Sequence, residues 1–245
     1  MGLQNRFKDI HKNKLAFILG CGVSIKDIDL KILFPYVTMA VGESILLLEP
    51  TYFFSCDGSV KSEGMLDKAI NYESTTVVLA GEFEYSEPEY NGKTYYRIPR
   101  KLNKKDSNVI TNTDDELIVG TNSAHVGINL LHVMGCNPIV LLGMNSKTIN
   151  GYRNFYSMPE FYDKIPQKMK DTYGNTYEEF NTNLSKYLID VHYEHYMNHL
   201  GINMWNKIKE TSPNLPIINA TPDSAITCFP TMSLEEVLDK FGDRR

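Results

Sequence analysis

Short unbroken apolar runs alternate along the chain with stretches whose apolar residues recur every three or four positions. The runs fall at residues 15–19 (LAFIL), 37–41 (VTMAV), 51–56 (TYFFSC), 75–80 (TTVVLA), 138–142 (PIVLL) and 216–219 (PIIN). Runs this short, apolar on consecutive positions, read as strands buried on both faces, and strands separated by helical stretches build a parallel sheet. Helical periods are read at residues 26–33, 45–48, 60–71 and 122–134, the last with Ala124, Ile128 and Leu131 on one face and Gly135 as its stop. Between residues 82 and 115 the periodicity fades into tyrosines, prolines and charges, which predicts a loop or small hairpin over the sheet. Residues 151–187, rich in Tyr, Asn and Lys and interrupted by Pro159 and Pro166, predict a helical lid. A longer helix is predicted over residues 188–210, and Ser233 with Glu236 predicts a capping box at the start of a terminal helix. The fold class that follows is α/β: a Rossmann-like, doubly wound, mostly parallel sheet with a helical lid subdomain. Residues 1–150 are read as a nucleotide-binding core, 151–187 as the lid, and 188–245 as a helix–strand–helix unit completing the core.

Composition narrows the class. The 245 residues are 42% hydrophobic and 22% charged, as in a soluble globular protein. A net charge of −5 argues against non-specific nucleic-acid binding, which needs a basic footprint. No apolar run approaches the roughly 18 residues of a spanning helix, so no transmembrane segment is predicted. The first residues are polar, without the apolar core of a signal peptide, and Arg6 stands where a myristoylation site needs Ser or Thr. Cys21, Cys56, Cys136 and Cys228 are widely spaced with no C-x-x-C pair, which predicts four reduced thiols in a cytoplasmic protein.

Candidate chemistry gathers where the predicted strands end. Gly20-Cys21-Gly22, with Ser24 before a helical pattern, would aim backbone N–H groups and a helix N-terminus at one spot, a phosphate site. The same glycines also fit a turn needed only for close packing. A third glycine is missing, since Ile25 holds that position, so the dinucleotide fingerprint is incomplete; no Walker A lysine follows either. Gly42-Glu43 ends the second strand, with Glu43 where a ribose-binding acid belongs. Asp57 closes the third strand. Thr121-Asn122-Ser123 and Gly143-Met144-Asn145 both fall where an open parallel sheet has its ligand crevice, although Asn122 or Ser123 also suits an ordinary helix cap. His192, His195 and His199 share one helix face, and a neutral imidazole there can take a proton from an attacking hydroxyl. A structural stripe is the competing reading, and the order His-Tyr-Glu-His is not a zinc motif. His125 and His132 read as structural. Asp27-Ile28-Asp29 spells the D-x-D of metal-dependent sugar transferases but sits after the first strand, the wrong place. Tyr152 and Tyr156 can donate O–H groups to a leaving phosphate or simply pack.

These blocks resemble a family. GCGVSIKDIDLKIL is similar to the G-x-G-P-S-L-x-x-I-D opening of the bacterial sialyltransferases of glycosyltransferase family 42 and of the related MptE-like (DUF115) proteins. TNSAHVGINLLHVMGCNPIVLLGMN resembles their second block, and INATPDSAI their terminal strand and turn. The resemblance covers about a third of the chain. It implies transfer of a sugar from a nucleotide donor to an acceptor hydroxyl, without a metal or other required cofactor. By position it puts Gly20, Gly22 and Ser24 on the nucleotide phosphates or ribose, and Thr121, Asn122 and Ser123 along the nucleotide or donor sugar. Asn145 would lie near the nucleotide, Tyr152 and Tyr156 would stand at the phosphate-binding tyrosines, and His192 or His195 would be the general base. Cys21, Gly42, Val23 and Asn145 depart from the family's asparagines, proline and aspartate. The MptE-like branch implies an alternative, pyrophosphate transfer from ATP with Mg²⁺. A non-catalytic nucleotide-binding or interaction module and an NAD-dependent oxidoreductase are further alternatives. The implied partners are a nucleotide-sugar and a small-molecule or glycan acceptor, with no direct nucleic acid and a possible homo-oligomer.

Overall fold

The computed structural model describes residues 6–57, 63–81, 86–101, 110–111, 116–118, 122–190 and 200–244. Its apolar runs are strands: β1 (Ala16–Leu19), β2 (Val37–Val41), β3 (Tyr52–Ser55), β4 (Thr76–Gly81), β9 (Ile139–Leu142) and β10 (Ile217–Asn219). A hairpin, β5 (Glu89–Tyr90) and β6 (Lys93–Thr94), precedes β7 (Tyr96–Lys101), and β8 (Leu117–Ile118) follows. Apart from the hairpin they form one parallel sheet in the order β10-β9-β1-β2-β3-β4-β7-β8. From β1 the chain winds outward through β2, β3, β4, β7 and β8, then returns to lay β9 on the other side of β1. The direction of winding therefore reverses between β1 and β9, which makes the space beyond their carboxyl ends the topological switch point.

Every residue of β1, β2, β3, β9 and β10 is buried, so both sheet faces are covered. Because strand side chains alternate, Phe17, Leu19, Phe53, Val140 and Leu142 pack on one face and Ile18, Met39, Phe54, Ile139 and Leu141 on the other. The first face receives α1 (Met65–Asn71), α3 (Gln167–Tyr173), α4 (Tyr177–Asp190) and α6 (Leu234–Phe241) through Leu66, Met169, Phe180, Leu184 and Val237. The second receives α2 (Ser123–Val133) and α5 (Ile202–Thr211) through Val126, Leu130, Trp205 and Ile208. Helices on both sides of a parallel sheet are the Rossmann-like arrangement.

Three local expectations are revised. The helix expected over residues 26–33 is two 3-10 turns, Val23–Asp27 and Leu30–Leu33, separated at Ile28 in extended conformation. Asp29 causes part of the break, because its side chain accepts from Lys31 N and offers the backbone an alternative to a continuous helix. The loop or small hairpin expected between residues 82 and 115 includes the hairpin β5–β6 but also β7, whose Ile98 is fully buried and which pairs with β4 from Val78↔Tyr96 to Gly81↔Pro99. The predicted lid is helical, as expected, but α4 starts at Tyr177, well before the helix start read at residue 188. Phe155, Phe161, Met169, Tyr173 and Phe180 of this segment belong to the same hydrophobic cluster as β1 and β9. The predicted capping box is present: Ser233 Oγ accepts from Glu236 N at 3.1 Å, and Glu236 Oε2 accepts from Ser233 N at 2.7 Å.

Candidate functional site

The turn after β1 meets the turn after β9 at the switch point, and glycine is what allows it. A Cβ on Gly22 would collide with Asn145 Oδ1 and stand 2.6 Å from the Gly143 carbonyl oxygen. Gly22 N donates to that carbonyl at 2.7 Å. Gly143 itself has φ +64°, which favours glycine. Close backbone approach is therefore one demonstrated use of these glycines.

Asn145 then ties the two turns together. It is almost wholly buried; its Oδ1 accepts from Ser24 N at 3.1 Å and Ser24 Oγ at 2.9 Å. Its Nδ2 donates to the Pro222 carbonyl at 2.9 Å, and its backbone oxygen accepts from Ala225 N at 2.8 Å. The turn after β10 adds Thr221 Oγ1, which accepts from Met144 N at 3.1 Å, and Ser224 Oγ, which donates to the Met144 carbonyl at 2.7 Å. Two amides expected to face a phosphate, those of Gly22 and Ser24, are thus bonded within the protein. The helical turn at Val23–Asp27 is 3-10, with Gly22 at its cap position and no side-chain cap. A long helix dipole does not begin here.

The turns after β2 and β3 lie beside this junction. At the end of β2, Gly42 has φ +57° and turns the chain so that Glu43 faces the β1 loop. Cys21 Sγ lies 3.3 Å from Glu43 Oε2 and 3.5 Å from the Val41 carbonyl, and donates to both acceptors. Ser44 Oγ donates to the Leu19 and Val41 carbonyls at 2.8 and 2.9 Å, fixing this turn to β1. Burial pushes the Cys21 thiol well above its usual value, and the Glu43 carboxylate adds to the shift. Burial also raises Glu43, and Asp57 across the crevice adds to that, while the thiol opposes it. The thiol is therefore the proton donor of the pair.

Beyond Glu43, the exposed Asp57 closes β3, where Ser55 Oγ accepts from its N–H at 3.0 Å. Cys56 N donates to Ser123 Oγ at 3.0 Å, bringing the N-terminus of α2 against the end of β3. Asn122 caps α2, its side chain accepting from His125 N at 3.1 Å. The sheet thus brings Cys21, Glu43, Asp57, Asn122 and Ser123 to one edge. Thr121, His192 and His195 lie outside the described residues.

The helical segment closes this edge from the first sheet face. Phe155 N donates to the Cys21 carbonyl at 2.9 Å, docking the segment on the β1 turn. Tyr156 is buried, and Asn154 Nδ2 donates to its hydroxyl at 2.9 Å; Tyr152 shares a side-chain hydrogen bond with Tyr177. Both tyrosines predicted to meet a phosphate hold bonds within the segment. Sequence reasoning missed Glu63 and Tyr173, whose carboxylate and hydroxyl pair at 3.2 Å. Tyr173 is raised by burial first, then by Glu63, with Glu43 also contributing, so it lies within electrostatic reach of the same edge. No sequence signal marks this pair, since its partners are 110 positions apart. The D-x-D residues are engaged elsewhere: Asp27 pairs with Lys26 at 2.8 Å and Asp29 caps a 3-10 turn. Among the described residues, no group of three His, Cys, Asp or Glu side chains is placed to hold a metal ion. No helix among them is long and apolar enough to cross a membrane.

No protein-family model and no curated protein matches the sequence. Among solved structures, the fold is similar to the MAf glycosyltransferase from Magnetospirillum magneticum AMB-1, with a TM-score of 0.50 and 10% identity. The match covers 98% of this chain and 40% of that one, so the chain spans about two-fifths of the length of that protein. At this identity the likeness is one of fold.

Proposed function

We propose that the chain binds a nucleotide-sugar over the carboxyl ends of β1, β2 and β3 and transfers the sugar to an acceptor hydroxyl. The observation that carries this reading is the polar edge itself: Cys21, Glu43, Asp57, Asn122 and Ser123 converge beside the switch point of a parallel sheet, where such folds take their ligands. The fold likeness to a glycosyltransferase and the family-like blocks at residues 20–33 and 121–145 support it.

In this reading His192 or His195 takes the proton of the acceptor hydroxyl as its oxygen attacks the anomeric carbon. The bond from that carbon to the nucleotide phosphate breaks, and its electron pair leaves with the phosphate. Hydrogen-bond donors aimed at the developing charge are the main source of such rate enhancement.

A thermal-shift panel of nucleotides and UDP-, GDP- and CMP-sugars tests the shared premise, followed by donor hydrolysis. His192→Ala or His195→Ala should abolish hydrolysis while leaving donor binding within about threefold. Unchanged hydrolysis in both variants removes the histidine. Magnesium-dependent release of AMP from ATP, with no turnover of any sugar donor, would replace sugar transfer by pyrophosphate transfer.

A further inference from the structure

The proposed site contains one pairing that sugar transfer alone does not explain, a thiol donating to a carboxylate at its centre. Cys21 Sγ reaches Glu43 Oε2 at 3.3 Å and the Val41 carbonyl at 3.5 Å. Both groups are half-buried, on turns locked by Ser44 Oγ to Leu19 and by Gly22 N to Gly143. A carboxylate has about four lone-pair directions, and the thiol occupies one on Oε2. Held by its own backbone N–H and by the thiol, the side chain presents a fixed pair of acceptor oxygens. Adjacent hydroxyls on a five- or six-membered sugar ring are two donors suited to such a pair.

We propose that Cys21 is a positioning residue, holding the Glu43 carboxylate as the acceptor of the ribose vicinal diol of the bound nucleotide-sugar. The inference rests on the reading of the site given above and adds its recognition chemistry. The groups that face or influence Glu43 are Cys21 from the β1 turn, Asp57 from the end of β3, and Tyr173 from α3, which is itself bonded to Glu63. Burial disfavours the ionised carboxylate most and Asp57 adds to that, while the backbone N–H of Glu43 and the thiol favour it. The acceptor function is thus present above the Glu43 titration and is lost as pH falls through it. Removing the thiol donor moves that loss to higher pH.

Isothermal titration calorimetry tests this with uridine, cytidine and guanosine 5′-monophosphates and their 2′,3′-dideoxy counterparts, from about pH 5 to about pH 8. Any ribonucleotide that binds should lose at least about tenfold in affinity in its dideoxy form. Glu43→Gln should abolish that discrimination together with the acid limb of the affinity profile. Cys21→Ala should shift the acid limb upward by about one pH unit, and Cys21→Ser, which retains a donor, should restore it. A purely structural role for Cys21 would lower affinity at all pH values without moving the limb. Equal binding of ribo and dideoxy probes by the unaltered protein overturns the proposal, as does an unmoved limb in Cys21→Ala, and either result leaves nucleotide binding standing. Absence of binding by every probe overturns the site reading and this inference with it.

Discussion

Asn145 holds three segments with one side chain, accepting from Ser24 and donating toward the turn at Pro222. This explains why an amide stands where the resembled family has aspartate. An aspartate would keep the acceptor for Ser24 but would turn an oxygen toward the Pro222 carbonyl in a buried place. Its ionised form would be disfavoured and its carboxyl pKa raised. Asn145→Asp should therefore lose about 3 kcal/mol at neutral pH. The sign follows from the raised folded value: stability is fullest below the unfolded carboxylate pKa of about 3.9 and is lost as pH rises through the folded one. Urea titrations at pH 7 and pH 5 should show the deficit shrinking at the lower pH. Gly22→Ala tests the same junction sterically, because the added Cβ meets backbone at Gly143 as well as the Asn145 amide. A loss of about 2 kcal/mol or more is expected, read as a lower urea midpoint with an unchanged slope.

At the level of elements, the strands buried on both faces were legible because short apolar runs rich in β-branched and aromatic residues lie between turn and helical stretches. The capping box of α6 was equally plain, and Ser233→Ala should cost about 1 kcal/mol, measurable by thermal denaturation. β7 was not legible: Pro99 within YRIPRK argues against a central strand, yet β7 lies near the sheet edge, next to the short β8. The two 3-10 turns replaced a predicted helix because Ser24 bonds to the distant Asn145 and Asp29 to the nearby Lys31 N, contacts that periodicity does not register. For the candidate site, the places of Cys21, Glu43 and Asp57 at strand ends and of Ser123 at a helix start were legible. What each touches did not follow, because Asn145 to Ser24 and Cys56 to Ser123 are contacts across 121 and 67 positions.

At the scale of the molecule, the second sheet face carries a group that makes the fold sensitive to acid. His125 is buried on the second face, its ring 4.2 Å from that of Trp205 at a steep angle, and burial lowers its pKa to about 3 from 6.5. Below about pH 6.5 the unfolded chain takes up a proton that the folded chain refuses, so this histidine removes up to about 1.4 kcal/mol of stability per pH unit until its folded value is reached. His125→Phe should flatten the stability profile between about pH 6 and pH 4 relative to the unaltered protein. The single tryptophan, Trp205, supplies the fluorescence signal for the parent's titrations, and circular dichroism serves for the variant. The switch point also has a consequence for biosynthesis. β1 emerges from the ribosome early, but its second neighbour, β9, ends at Leu142, and the latch through Asn145 is completed by residues 221–225. One side of β1 must wait for most of the chain, a long-range closure that is intrinsically slow. Nascent chains arrested before β10 should be cleaved by protease within residues 20–24, while full-length chains resist. The junction of Gly22 and Ser24 with Asn145 thereby matures late, well after the strand that carries it.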